Sequence, residues 1–245
     1  MCTVSYLPKS NGSFILTSNR DEAPSRATHK VVEQSLENGI RLLFPQDPQS
    51  GGTWIALSDT GRLICLLNGA FEQHRRQPPY RRSRGLLVLD VFEYASLETF
   101  FQSYELDGIE PFTMVIVEEG MLYEFRWDGE QSYLEQLEAQ QAHIWSSATL
   151  YDATYRLKRK ALFDQWLMRQ PDYEVESILD FHRGGGTGDP DNDFVMNRQN
   201  IVRTVSITSV EKTIENFHFL HRDLLSEHEV RHQFEIHNAE TVSTN

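Results

Sequence analysis

Cys2 stands directly behind the initiator methionine in MCTVSY. Methionine aminopeptidases remove Met when the next residue is small, and cysteine is small enough. The processed chain is then expected to begin with a residue that carries both a thiol and a free α-amine. A free thiol titrates near ~8.5 and a terminal amine near ~7.7–8.0, so moving a proton from sulfur to nitrogen costs little near neutral pH. Such a residue can be a nucleophile and its own base. A second polar group is SNRDE at 18–22. An arginine beside the sulfur favours the thiolate, and Asp21 could hold the terminal ammonium or orient Arg20. Two further polar residues end apolar runs: Asn68 in LLNG, and Ser147 in IWSS. A side-chain amide at a strand end can donate to a developing oxyanion. The plainer alternative for each of these groups is a turn or strand cap.

The elements must bring these residues together. CTVSYL and GSFILTSN are strand-like runs joined at Asn11-Gly12, a dipeptide that supplies positive φ easily. A hairpin sets the end of its second strand beside the start of its first, so Asn19, Arg20 and Asp21 are expected near Cys2. TWIAL and RLICLLN form a second pair across SDTG. Residues 84–106 have helical apolar spacing through Leu86, Leu89, Phe92 and Phe100. FTMVIVEEGMLYEFRW reads as a hairpin turning at Glu119-Gly120. TYRLKRKALFDQWLMR and EVESILDFH read as helices. A Gly/Asp/Pro/Asn loop at 184–193 follows, and then VRTVSITSV, NFHFLH and HEVRHQFEI return to strands. Paired strands at both ends with helices between them imply an α+β sandwich. The length and the hydrophobic content of 39% suit a single domain over 1–245.

Composition narrows the function classes. A net charge of −13 works against nucleic acid and anionic membranes as partners. No apolar run is long enough for stable membrane insertion, and no secretory signal is visible. Two cysteines make no disulfide framework and fit a reducing, cytoplasmic location. Cys65, inside LICLLN, reads as core. HRRQPPYRRSR at 74–84 carries five arginines, either a solvated loop or a local patch for a substrate carboxylate or phosphate. HEVRH at 228–232 matches the zinc motif H-E-x-x-H, which needs a helix to bring its histidines onto one face. Here apolar residues alternate with polar ones, as in a strand, so no metal is expected. GGGTGDP lacks the Gly-Lys-Ser/Thr ending of a phosphate loop.

With these pieces in place, the chain resembles the NRDE family, also called the transport and Golgi organisation 2 (TANGO2) family. The matching pieces are MC at the start, SNRDE at 18–22, GGTW at 51–54, LLNG at 66–69, SRGLLV at 83–88 and SSATLYDATYRLKR at 146–159, with VRTVSITSV at 202–210 matching more loosely. The resemblance implies an αββα four-layer sandwich of the N-terminal nucleophile hydrolase type. It implies Cys2 as nucleophile on a non-peptide amide bond, with Arg20 and Asp21 on the following strand and Asn68 at the oxyanion. Substrate-side positions are Asn19, Trp54, Ser147 (where an asparagine is often expected) and Arg203. The implied partner is a small-molecule amide or acyl substrate, with no cofactor. The rival reading is a non-catalytic haem- or lipid-handling protein on the same scaffold.

Overall fold

The computed structural model describes residues 3–170 and 173–235. The first half contains β1 (Thr3–Pro8), β2 (Phe14–Glu22), β3 (Val31–Ser35), β4 (Arg41–Pro45), β5 (Ile55–Ser58), β6 (Leu63–Asn68), α1 (Arg84–Asp90) and α2 (Leu97–Ser103). Then come β7 (Phe112–Glu118), β8 (Met121–Trp127), β9 (Ser132–Leu137), β10 (His143–Ser146), α3 (Ala153–Arg169) and α4 (Val175–Gly184). The described chain closes with β11 (Asn197–Arg198), β12 (Val202–Lys212), β13 (Asn216–Asp223) and β14 (Glu229–Glu235).

The strands form two antiparallel sheets. One is a meander, β3 to β9 in chain order; the other runs β10-β1-β2-β12-β13-β14, with β11 on β12. The meander pairs strands that are neighbours in chain order, with α1 and α2 inserted between β6 and β7. The second sheet joins both ends of the chain, so the polar end of β2 acquires a flank from β12, far away in sequence.

Alternation along the strands explains the four layers. In β6, Leu63, Cys65 and Leu67 enter the core between the sheets, while Ile64 and Leu66 pack on the α1/α2 side with Leu87, Val88 and Phe92. Burial on both faces is why LICLLN is almost uniformly apolar. In β1, Val4 and Tyr6 join the inter-sheet core, and Leu7 packs with Ile15, Phe163, Ile178 and Phe181 under α3 and α4. The order is helix, sheet, sheet, helix, as the resemblance implied. Cys65 is in the core, where burial pushes its thiol up to about 12.

The expected hairpin turns form with positive φ at both central residues, 60° and 70° at Asn11-Gly12 and 50° and 77° at Glu119-Gly120. The HEVRH segment enters β14, not a helix. The helical reading of 84–106 needs correction. The stretch breaks at Tyr94 and Ala95, and Ser96 caps a separate α2 by accepting from the Thr99 N–H at 3.1 Å. A serine that can cap competes with helix continuation. Four strands, β3, β4, β9 and β11, lie outside the sequence reading. β9 is almost wholly exposed, so no buried face imposes an apolar alternation on it.

Candidate active site

The site grows from the end of β2. Its ladder with β1 runs from Thr3↔Asn19 to Pro8↔Phe14. Cys2 itself lies outside the described residues. On the other side, β12 pairs Thr204 with Asp21 and Ser206 with Arg20, with Val205 as an extra residue between them. This bulge bends β12 where the polar residues of β2 begin.

Successive residues of β2 point to opposite faces, and each letter of NRDE has a separate destination. Asn19 turns to the helix side. Its Nδ2 donates to the carbonyls of His182 and Phe194 at 3.0 and 2.7 Å, and its Oδ1 accepts from His182 Nδ1 at 2.6 Å. The remaining ring nitrogen of His182 meets Ser5 Oγ at 2.7 Å. Burial, then the nearby Arg159 cation, lowers His182 to about 3, so the ring is neutral. Arg20 turns inward. Its guanidinium lies 4.1 Å over the Trp54 ring and donates to the Asp47 carboxylate and the Arg26 carbonyl. Burial pushes Arg20 below its ordinary pKa, against the pull of Asp47. Asp21 turns back, accepting from Tyr151 Oη at 2.9 Å and from Thr204 Oγ1 at 2.6 Å. Glu22 pairs with Arg26 at 2.8 Å.

Asp47 holds the inward side together. It also pairs with Arg26 at 2.8 Å and accepts from the Ser50 and Gln49 N–H groups at 2.8 and 3.0 Å. Burial works to raise its pKa, but the Ser50 N–H and the two guanidiniums outweigh it and hold the carboxyl below the usual range. GGTW and SRGLLV meet one another here. Thr53 N–H donates to Gly85 O at 2.9 Å, and a Cβ on Gly52 would stand 2.3 Å from the Gly85 carbonyl carbon. Glycine at both positions lets these backbones touch, and it sets Trp54 against Arg20.

A cleft of about 340 Å³ opens here, lined by Arg20, Trp54 and Asn68 together with Arg76, Arg82, Arg84 and Glu110. The Asn68 side-chain amide makes no hydrogen bond to another described residue. Ser147 Oγ donates to the Asn68 carbonyl at 2.8 Å. That contact links the ends of β6 and β10 and engages the one hydroxyl proton of Ser147. Arg203 pairs across the ladder with Glu22 and reaches Asn200 Oδ1 at 3.4 Å; it does not line the cleft. Asn19 does not line it either. The structure thus brings together Arg20, Trp54 and Asn68, with Asp21 one residue behind the wall.

Several members of this arrangement were missed from sequence. Asp47 and Glu110 carry no local signature, and Thr204 lies in the loosely matching VRTVSITSV piece. Tyr151 and Arg159 lie in or beside the SSATLYDATYRLKR piece, which was the available signal. Arg159 is buried, stacks 3.7 Å from the Tyr151 ring, and donates to Thr3 Oγ1 and to the Asp193 carbonyl, the latter at 2.7 Å. It therefore fixes the start of β1. The GGGTGDP segment is a folded loop in which Asp193 accepts from the Thr187 and Gly188 N–H groups at 2.7 and 2.9 Å. Among the described residues, no cluster of three or more His, Cys, Asp or Glu side chains could hold a metal. No described helix is long and apolar enough to cross a membrane.

Comparison with known proteins agrees with this architecture. A Caenorhabditis elegans ortholog of N-acylethanolamine-hydrolyzing acid amidase superposes with a TM-score of 0.58 at 14% identity, covering 85% of this chain and 92% of that one. Two variants of conjugated bile acid hydrolase from Clostridium perfringens superpose with a TM-score of 0.53 each, at 11% and 13% identity, covering 100% of this chain and 99% of theirs. These likenesses establish the N-terminal nucleophile hydrolase fold. A search of curated proteins by sequence gives no match. The profile described as transport and Golgi organisation 2 matches residues 1–231. The chain belongs to the transport and Golgi organisation 2 family.

Proposed function

We propose that the protein is an N-terminal cysteine hydrolase acting on a non-peptide amide bond. The observation that carries the reading is the alternation along NRDE. It sends Arg20 into the cleft beside Asn68 and buries Asp21 against Tyr151 and Thr204, at the strand end where Asn19 faces Thr3. Cys2 is one peptide link from Thr3 in the sequence. The solved structures that share the fold include one described as an acid amidase and one described as a conjugated bile acid hydrolase, which supports a hydrolase of the same chemical class.

In the proposed reaction Met1 is first removed. The Cys2 sulfur attacks the amide carbon while the α-amine of the same residue takes the thiol proton. The carbonyl oxygen, now negative, accepts from the Asn68 side-chain amide. The ammonium returns its proton to the leaving nitrogen, the C–N bond breaks, and water hydrolyses the thioester. The buried positive charge of Arg20 favours thiolate over thiol.

The test has two parts. Intact-mass measurement is expected to show loss of Met1. Panels of N-acyl amino acids, acyl-homoserine lactones and β-lactams are expected to show turnover that disappears in Cys2→Ala. Retained Met1 refutes the self-activated mechanism. Haem or acyl-lipid binding that survives Cys2→Ala, with no turnover of any amide, replaces the hydrolase reading with the carrier one.

A further inference from the structure

The arginine-rich segment 74–84 folds over the cleft. Five guanidiniums line it, from Arg20, Arg26, Arg76, Arg82 and Arg84, against the carboxylates of Glu22, Asp47 and Glu110. Arg82 has its own partner in Asp90, which leaves five cations against four anions in a chain whose net charge is −13. The surplus sits at Glu110. That buried carboxylate is shared by Arg76 and Arg84, each at 3.2 Å, and by His74 at 3.1 Å. Two guanidiniums on one carboxylate leave a positive charge over.

Neutral donors are available as well. The Trp54 indole N–H is buried with no hydrogen-bond partner among the described residues, although Trp54 lines the cleft. Buried polar groups are almost always paired, so this one calls for an explanation. The Tyr80 hydroxyl accepts from the Gln77 N–H at 2.7 Å, which leaves its own O–H to donate into the cleft. The volume, about 340 Å³, is at the small end for ligand sites. A small cleft walled by guanidiniums suits a compact anion and not an acyl chain.

We infer that the cleft takes an amide carrying a compact oxyanion, a carboxylate or a phosphate, held by Arg76 and Arg84. The inference rests on the hydrolase reading for the word amide, and on the charge arrangement for the rest. It is tested on the full chain carrying Cys2→Ala, so that binding is read without turnover. Tryptophan fluorescence follows titration with N-acetylglycine, with the uncharged N-acetylglycinamide, and with glycerol phosphate; Trp54→Phe serves as the signal control.

The expected result is at least about 10-fold tighter binding of N-acetylglycine than of the uncharged amide. The gap should close in Arg76→Gln, whose side chain is 72% exposed, and in Arg84→Gln. It should also shrink on going from about 0.05 M to about 0.5 M salt, as screening requires. Tighter binding of glycerol phosphate supports the inference and assigns the oxyanion to phosphate. Equal affinity for charged and uncharged probes, binding indifferent to both arginine variants, or no binding of any probe overturns it. The two readings fail separately. Oxyanion binding with no amide turnover in the wild type removes the hydrolase and keeps the anion site. Equal turnover of charged and uncharged amides keeps the hydrolase and removes the anion site.

Discussion

Asp47→Asn isolates one charge at the centre of the site. The side chains of Asp47 and Arg20 are each 4% exposed, whereas Arg26, the other partner, is 31% exposed. Asparagine keeps an oxygen for the Ser50 and Gln49 N–H groups, so the turn at 47–50 retains its acceptor. What is lost is the negative charge facing an almost wholly buried guanidinium. Breaking a buried ion pair by removing one partner costs about 3–5 kcal/mol. Arg26→Gln removes a half-exposed partner and should cost about 0–1 kcal/mol. With a urea m-value of about 3 kcal/mol/M, the first variant should unfold about 1 M earlier than the wild type. The pH dependence gives a second check. The folded-state pKa of Asp47 is depressed, so the unfolded chain takes up the proton first. The stabilisation is complete above the unfolded value of ~3.9 and is lost as pH falls through the lower, folded value. The gap between wild type and Asp47→Asn should therefore be constant between pH 7 and 5 and close only below about pH 4. A cost under about 1 kcal/mol at pH 7, or a gap that already narrows between pH 7 and 5, would refute the account of Arg20 as a cation held by Asp47.

Burial lowers His182 to about 3 and His221 to about 4; both lie below the unfolded ~6.5, so the stability they carry falls away as the pH drops below that value. Their imidazole NMR signals should stay in the neutral form from pH 8 to 5, and a midpoint near 6.5 for either ring contradicts its burial. With its thiol pushed to about 12 in the inter-sheet core, Cys65 should resist iodoacetamide at neutral pH in the native protein while Cys2 reacts; equal rates would count against an activated Cys2. Gly52→Ala drives a Cβ to within 2.3 Å of the Gly85 backbone and should cost about 1–3 kcal/mol by overpacking, read as a drop in Tm. An unchanged Tm would mean that the contact between the GGTW and SRGLLV pieces yields freely.

Local chemistry was legible in the sequence, and assembly was not. The Asn11-Gly12 and Glu119-Gly120 turns could be read because type I′ geometry needs particular residues. The alternation in β14 could be read because a strand has period two, which also removed the zinc motif. The β1–β2 hairpin therefore placed Asn19, Arg20 and Asp21 at one strand end. Direction was harder: nothing local says that Asn19 faces His182 on α4, since the two are far apart in sequence and meet only when α4 packs on the sheet. Asp47 and Glu110 were invisible for the same reason, being single carboxylates in loops whose importance comes from arginines elsewhere. Ser96 is a capping residue inside an apolar periodicity, and there the cap wins over the periodicity.

The strand Phe14–Glu22 acts as a sentence with a fixed reading frame. One residue added between Phe14 and Asn19 would exchange the two faces downstream, sending Arg20 toward the α4 layer and Asp21 toward Trp54, with every partner lost together. The same residue added at Asn11-Gly12 would only lengthen an exposed turn and leave the message intact. Insertions in this hairpin are therefore harmless or ruinous according to where they fall, a few ångströms apart.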